Sequence, residues 1–224
     1  MLWPTLCVDN FFGNPEEIRK YALNLEYNPA KDGKWPGKRT ENLFNINLNF
    51  HTFVTSKILK LLYPMNIEDL GWSADAYFQK IDGNIYSQSG WVHQDKNEFT
   101  VLIYLSHHKN CGTSIFNKKN IKSTLINEQI RRDENIKAEF ENKNIEGDSK
   151  ELISNNSQFE KTITFDSKFN RLILFDAAQF HAAEKFNEVS VNEDRLTLIL
   201  FFQNIFSTSA KQIKFPLTEM NRFF

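Results

Sequence analysis

The chain has 224 residues, of which 41% are hydrophobic and 14% aromatic, enough to bury the core of one large domain. Its formal net charge of −1 excludes a generally basic surface of the kind that binds nucleic acid by charge alone. The two cysteines make no disulfide framework, and no apolar stretch approaches the roughly 20 residues of a membrane-spanning helix. We therefore expect a single cytoplasmic domain over residues 1–224, with no membrane partner and with nucleic acid disfavoured.

The first 70 residues predict a short strand at 6–8 followed by helices. Residues 14–17 (NPEE) combine a capping residue, a proline and two acids, which favour a helix start. A loop is predicted over 28–42, where Asn-Pro, Asp-Gly and Pro-Gly pairs occur. A second helix is predicted near 50–63. Its apolar side comprises Phe53, Ile58, Leu61 and Leu62.

From residue 71 the hydrophobic period changes to that of strands. Strands are predicted at 72–78, 99–105, 113–116, 162–166, 171–175, 181–186 and 195–204. The last of these has leucines on one face and Thr197, Ile199 and Phe201 on the other, so it is expected to be covered on both sides. The pattern predicts a mainly β fold with flanking α: a double-stranded β-helix (jelly roll) core at 72–204, braced by the N-terminal helices of 1–70.

Two segments differ from this core. Residues 117–161 are rich in Lys, Glu, Asn and Asp, with a polar helix over 121–141 and a loop at 154–157. They are interpreted either as a solvated insertion or as a lid over a site. Residues 205–224 carry four phenylalanines and are predicted to be a tail that docks on the body.

Two histidines and an aspartate have the identity and spacing of metal ligands. His93 and Asp95 precede one apolar strand, and residues i and i+2 of an extended segment point the same way. His181 begins a later strand, which could bring it to the same ion. Two imidazoles and a carboxylate form the facial triad of non-haem Fe(II) sites, although catalytic Zn(II) can use the same donors.

An arginine begins the last predicted strand. Arg195 and Thr197 share one face of it, and a guanidinium with its stem in an apolar barrel favours a carboxylate that it can bind bidentately. The structural alternative is a salt bridge. Its candidate partners are Asp194, Glu193 and Asp166.

The order of these motifs resembles the Fe(II)- and 2-oxoglutarate-dependent dioxygenase superfamily, and within it the prolyl-4-hydroxylase-like branch with its small phage and bacterial members. The motifs are His93-x-Asp95, residues 111–116 (CGTSIF), residues 170–176 (NRLILFD), His181 and Arg195-x-Thr197. The family often has two glycines where this chain has Cys-Gly at 111–112, but that departure affects no ligand.

The resemblance implies that His93, Asp95 and His181 bind Fe(II), and that Arg195 and Thr197 bind the distal carboxylate of 2-oxoglutarate. A tyrosine often assists that carboxylate, and here Tyr104 is favoured over Tyr86. The implied reaction uses O2 and 2-oxoglutarate, releases succinate and CO2, and hydroxylates a C–H bond. Because the carboxylate ligand is present, hydroxylation is implied and halogenation is not.

The substrate is open at this point. Trp91, Trp35 and Arg39 are candidate substrate contacts, although each could equally be an ordinary packing or surface residue. A peptidyl residue, a free amino acid or another small molecule are all compatible with the sequence. Two other readings stay open: a non-catalytic, cupin-like jelly roll that binds metal or ligand, and a cupin-type hydrolase or isomerase.

Overall fold

Two antiparallel sheets and four helices form the part of the chain that the structure describes. The structure, a computed structural model, describes residues 3–29, 35–64, 67–81, 89–119, 150–186 and 193–207. The helices are α1 (Pro15–Leu23), α2 (Leu43–Ile46), α3 (Leu48–Leu62) and α4 (Lys150–Asn156). The strands are β1 (Leu6–Val8), β2 (Asn28–Pro29), β3 (Lys38–Arg39), β4 (Leu70–Ile81), β5 (Phe99–Tyr104), β6 (Thr113–Lys118), β7 (Phe159–Phe165), β8 (Leu172–Asp176), β9 (Phe180–Ala183) and β10 (Arg195–Ser207).

The larger sheet has seven strands in the order β1-β8-β5-β10-β4-β3-β2, and the smaller sheet has the order β7-β6-β9. All the recorded strand pairs are antiparallel. The prediction of a mainly β fold with flanking helices is therefore confirmed. The predicted segments 28–42 and 154–157 differ from the structure. The first contains the β2–β3 pair, and Pro29 lies on the outermost strand, where a missing N–H removes no hydrogen bond of the sheet. The second is helical as far as Asn156, the last residue of α4.

The two faces of the larger sheet have different coverings. Leu196, Leu198 and Leu200 of β10 belong to the main apolar core, which also takes in the buried sides of α1 and α3. The other face of β10 carries Arg195, Thr197, Ile199 and Phe201, and these line a cavity. The prediction that β10 is covered on both sides is confirmed, and the cavity lies on the face away from the helices.

The predicted buried side of the second helix is wrong in part. Ile58 is buried, but Phe53 is 51% exposed and Leu61 is 39% exposed. The buried side is the one that carries His51, Val54, Thr55, Ile58 and Leu59. Apolar residues occur nearly all round this helix, so the pattern alone does not select the side that packs.

The C-terminal prediction is also corrected where the structure describes it. Phe206 belongs to β10, is 60% exposed, and places its ring over Gly71 of β4, where a side chain on the glycine would collide with it. The rest of the predicted tail, with Phe215, Phe223 and Phe224, lies outside the described residues. The predicted helix over 121–141 also lies outside them. None of the described helices is long and apolar enough to cross a membrane.

Asp176, at the end of β8, joins the start of the chain to the sheet. Its carboxylate accepts hydrogen bonds from the backbone N–H of Trp3 (2.7 Å) and of Ala178 (2.8 Å), and the residue is buried. Replacement by alanine leaves both donors without this acceptor, so we expect Asp176→Ala to lower the free energy of unfolding by about 2–4 kcal/mol. Urea unfolding measures this. Asp166→Ala, at an exposed carboxylate, is the control, and equal losses in the two variants would contradict the prediction.

Candidate metal centre

Two short backbone pairings bring the three predicted ligands together. His93 and His181 pair as an isolated β-bridge, with N···O distances of 3.1 and 2.8 Å, and the N–H of Asp95 donates to Ala177 O at 2.9 Å. Nε2 of His181 lies 3.3 Å from Oδ2 of Asp95, and Nε2 of His93 lies 3.7 Å from Oδ1. The potential ligand atoms of the three residues all lie within 4.8 Å of one another. One atom from each can therefore reach a single ion.

Hydrogen bonds on the outer side of the triad orient its three side chains. Nδ1 of His93 lies 2.7 Å from Trp91 O, and Nδ1 of His181 lies 2.8 Å from Gln179 O. A carbonyl oxygen only accepts, so each Nδ1 donates a hydrogen bond and each Nε2 is the ring atom nearest the Asp95 carboxylate. Thr100 donates to Oδ2 of Asp95 at 2.8 Å, which orients that carboxylate.

Two adjacent asparagines at the end of α4 hold the segment that leads into His93. Asn156 accepts from Val92 N (3.0 Å) and donates to Gly90 O (3.0 Å), while Asn155 donates to Val92 O (3.1 Å). These amides satisfy backbone groups on one side of the segment, and β9 pairs with its other side through His181 and Ala183. The sequence gives no signal for this role, because an Asn-Asn pair predicts a turn as readily.

We expect Asn156→Ala to weaken metal binding at the triad by about ten-fold. It removes two hydrogen bonds from the backbone that positions His93, and outer partners of metal ligands typically matter by 10–100-fold. Calorimetric titration with Ni(II), a redox-inert stand-in, measures the change. Gln158→Ala, whose amide bonds only at the exposed surface, is the matched control. Equal affinities in Asn156→Ala and the control would refute this positioning role.

Arg195 is buried in the cavity wall without a described acid beside it. Its Nε and Nη2 donate to Cys111 O at 3.2 and 2.9 Å, and among the described residues no carboxylate pairs with it. The alternative of a salt bridge with Glu193 fails, since Glu193 pairs with Arg19. Burial lowers the pKa of the Arg195 guanidinium, but an arginine side chain is effectively always protonated in proteins, so this group carries a positive charge. A buried cation of this kind favours an anion from a ligand.

Thr197 lies next to Arg195 on the same strand face. Its Oγ1 is buried and has no hydrogen-bond partner in the described part of the chain, although the residue lines the cavity. Buried hydroxyls without a partner are uncommon in native proteins. Arg195 and Thr197 together thus offer donors to a carboxylate in the cavity.

Tyr104, which is predicted to assist the carboxylate of 2-oxoglutarate, lies next to Arg195. The side chain is buried outside the lining, and its hydroxyl donates to Thr113 Oγ1 at 2.9 Å. Burial raises its pKa to about 12, so it stays protonated, and its ring lies 5.7 Å from the Arg195 guanidinium carbon. Thr113 lines the cavity instead. Sequence reasoning missed Thr113, whose only signal is its place at the start of a strand. Tyr86 lies outside the described residues.

The three candidate substrate contacts all line the cavity, whose volume is about 240 Å³. Trp91 is buried next to the triad, and Arg39 lies over the ring of Trp35 at 4.6 Å. The other described histidines lie elsewhere. His51 bonds to Ala74 O in the core, and His107 lies beside Glu16 at the surface.

A match to a protein-family model includes most of these site residues. The model of DUF6445, a family of unknown function, matches residues 81–202, more than half of the chain. The match includes all three triad residues together with Arg195 and Thr197, but neither Trp35 nor Arg39. No curated protein is similar to this sequence.

Solved structures show the same fold at low identity. HygX from Streptomyces hygroscopicus, with nickel and 2-oxoglutarate bound, is 13% identical with a TM-score of 0.57, over 89% of this chain and 82% of HygX. The non-haem, α-ketoglutarate-dependent epimerase SnoN from nogalamycin biosynthesis is 12% identical with a TM-score of 0.54, over 89% and 78%. The carbocyclase SnoK from the same biosynthesis is 8% identical with a TM-score of 0.52, over 89% and 79%. Another HygX structure also contains hygromycin B.

Proposed function

The chain belongs to the DUF6445 family, and we propose that it is a non-haem Fe(II)- and 2-oxoglutarate-dependent oxygenase. One observation carries the proposal. Three potential ligand groups converge within 4.8 Å of one another, and the same cavity holds a buried arginine with no described acid beside it and a buried threonine hydroxyl with no described hydrogen-bond partner. A metal site alone would explain the first feature but not the second.

The residues present fit both groups. Two neutral imidazoles and one carboxylate on one side of an ion leave positions open for a chelating co-substrate, as in the facial triad of Fe(II) oxygenases. Arg195 and Thr197 match the distal carboxylate of 2-oxoglutarate in charge and in hydrogen-bond direction. The fold that the chain shares with HygX, whose structure contains nickel and 2-oxoglutarate, supports this choice of co-substrate.

In this proposal the protein positions the reactants and supplies few catalytic groups. His93, Asp95 and His181 hold the metal, and the carbonyls of Trp91 and Gln179 fix the tautomers of the two imidazoles. When bound, Fe(II) and 2-oxoglutarate would supply the electrons that activate O2, with release of succinate and CO2. Phe175, Ile199 and Phe201 give the cavity apolar walls next to these groups.

The finer assignments rest on the sequence. We propose hydroxylation of a C–H bond in a small molecule or a peptidyl residue. SnoN is described as an epimerase and SnoK as a carbocyclase, so this fold accommodates more than one outcome. The jelly-roll topology and the prolyl-4-hydroxylase-like branch remain predictions that accompany this proposal.

An anaerobic titration tests the proposed function. Fe(II) and then 2-oxoglutarate are added to the purified protein, and the weak visible charge-transfer band of the metal-bound keto acid is recorded. We expect the band in the wild type and its loss when any one of the three ligands is replaced by alanine. A folded protein that binds metal but gives no band would leave a metal-binding protein of another kind.

A further inference from the structure

Thr100 lies beside the triad in the interior of the larger sheet. It belongs to β5, where it pairs with Phe201 of β10 on one side and with Phe175 of β8 on the other. The residue is buried, with 3% of its surface exposed, and it lines the cavity. Strands on both sides therefore fix the position from which its hydroxyl reaches Asp95.

The direction of the hydrogen bond between Thr100 and Asp95 follows from the bonds that Asn97 makes. Nδ2 of Asn97 donates to Phe99 O at 2.6 Å and to Thr100 Oγ1 at 3.2 Å. A backbone carbonyl oxygen can only accept, so the side-chain atom that faces Phe99 O has to be the amide nitrogen. Thr100 Oγ1 thus accepts from Asn97, and its own proton goes to Oδ2 of Asp95 at 2.8 Å.

The two oxygens of the Asp95 carboxylate lie near different imidazoles. Oδ1 is 3.7 Å from Nε2 of His93, and Oδ2 is 3.3 Å from Nε2 of His181. A carboxylate in this position could bind an ion between the imidazoles through one oxygen or through both, since carboxylates use either mode at metal sites. The hydrogen bond from Thr100 is made to Oδ2, so it makes the two oxygens unequal.

We propose that Thr100, whose proton is directed by Asn97, is a positioning residue that restricts Asp95 to a single metal-binding oxygen, Oδ1. The charge-assisted hydrogen bond holds Oδ2 and reduces its strength as a metal ligand. This inference rests on the function proposed above, because it concerns the positions that the co-substrate and O2 need. The triad accounts for the binding of a metal, and Thr100 sets how many positions Asp95 takes.

The number of positions that Asp95 occupies decides what else can bind. A chelating keto acid and O2 both need positions that the two imidazoles and the carboxylate leave open. If both oxygens of Asp95 bound the ion, the second oxygen would compete with the co-substrate for one of them. The ion would gain a protein ligand atom in that state, so its own affinity would not fall. Loss of the Thr100 hydroxyl should therefore weaken 2-oxoglutarate and spare the metal.

The main chain near Asp95 is anchored without the Thr100 side chain. The N–H of Asp95 donates to Ala177 O at 2.9 Å, and the N–H of Glu98 donates to Phe202 O at 2.7 Å. Removal of the Thr100 hydroxyl leaves both of these bonds in place. The expected effect is thus confined to the Asp95 carboxylate.

The test compares Thr100→Val, which keeps the shape of the side chain without its hydroxyl, with Thr100→Ser, which keeps the hydroxyl. Calorimetry measures the affinity for Ni(II), and the anaerobic titration of the Fe(II) protein measures the concentration of 2-oxoglutarate that gives half of the maximal band. For Thr100→Val we expect an Ni(II) affinity no weaker than that of the wild type. We also expect it to need about ten-fold more 2-oxoglutarate. Thr100→Ser should match the wild type in both measurements.

Thr162→Val is the matched control, because it removes a threonine hydroxyl from an exposed position of β7 and should change neither quantity. A Thr100→Val protein that binds Ni(II) more weakly would show that Thr100 merely supports the triad, and this would overturn the inference. Unchanged values in both measurements would overturn it too, as would a Thr100→Ser protein that behaves like Thr100→Val. Absence of the band in the wild type would instead overturn the proposed function.

Discussion

Replacing His181 by alanine is expected to weaken metal binding by at least about 100-fold and to abolish the charge-transfer band. The residue supplies one of three ligands, and its Nε2 is only 3.3 Å from the Asp95 carboxylate. Without it the ion would keep two protein ligands, and loss of even an outer partner of a ligand costs 10–100-fold. Calorimetry with Ni(II) and the anaerobic titration measure the two effects separately.

His107→Ala is the matched control for this variant. His107 is exposed beside Glu16, away from the triad, so its loss should leave metal affinity unchanged. If His181→Ala bound Ni(II) as tightly as His107→Ala, with both proteins folded, the metal would have to bind elsewhere, and the triad would be wrong.

Replacing Arg195 by glutamine is expected to raise the dissociation constant of 2-oxoglutarate by about 100-fold with little change in metal affinity. Hydrogen bonds to charged groups are worth about 1.5–3 kcal/mol, and the fully buried guanidinium has no described acid to bind instead. Arg195→Lys should weaken the binding of 2-oxoglutarate less than Arg195→Gln does, because lysine keeps the positive charge although it lacks the planar fork of donors. The concentration of 2-oxoglutarate that gives half of the maximal band measures the affinity of the wild type and of the two variants.

Arg171→Gln serves as the control, since Arg171 pairs with Asp9 at the protein surface. It should bind 2-oxoglutarate as the wild type does. An Arg195→Gln protein that bound 2-oxoglutarate as tightly as this control would contradict the role that we give to Arg195.

Local rules account for the parts of the site that were predictable from the sequence. Strand alternation places His93 and Asp95 on one side of an extended segment, and it places Arg195 and Thr197 on the cavity face of β10. Each of these inferences needs only the neighbouring residues. The inference for Arg195 and Thr197 holds because both faces of β10 are covered. A shift of its pairing register by one residue would turn its core leucines to the cavity.

Tertiary contacts account for what the sequence did not predict. The amides of Asn155 and Asn156 find their backbone partners more than 60 residues away, at Val92 and Gly90. The hydroxyl of Tyr104 donates to Thr113 on the other sheet, and Thr113 is the one of the two that lines the cavity. The buried side of α3 is the side that packs against the rest of the protein. Because apolar residues occur on most sides of this helix, the sequence pattern does not indicate which side that is.

The most direct test of the oxygenase function is mass spectrometry of succinate formed under ¹⁸O₂. The protein is incubated with Fe(II) and 2-oxoglutarate, and succinate is analysed for the wild type and for His181→Ala. We predict Fe(II)-dependent succinate that carries one ¹⁸O atom, formed slowly without substrate and not formed by His181→Ala. If the folded, metal-loaded wild type made no labelled succinate, the oxygenase function would be contradicted.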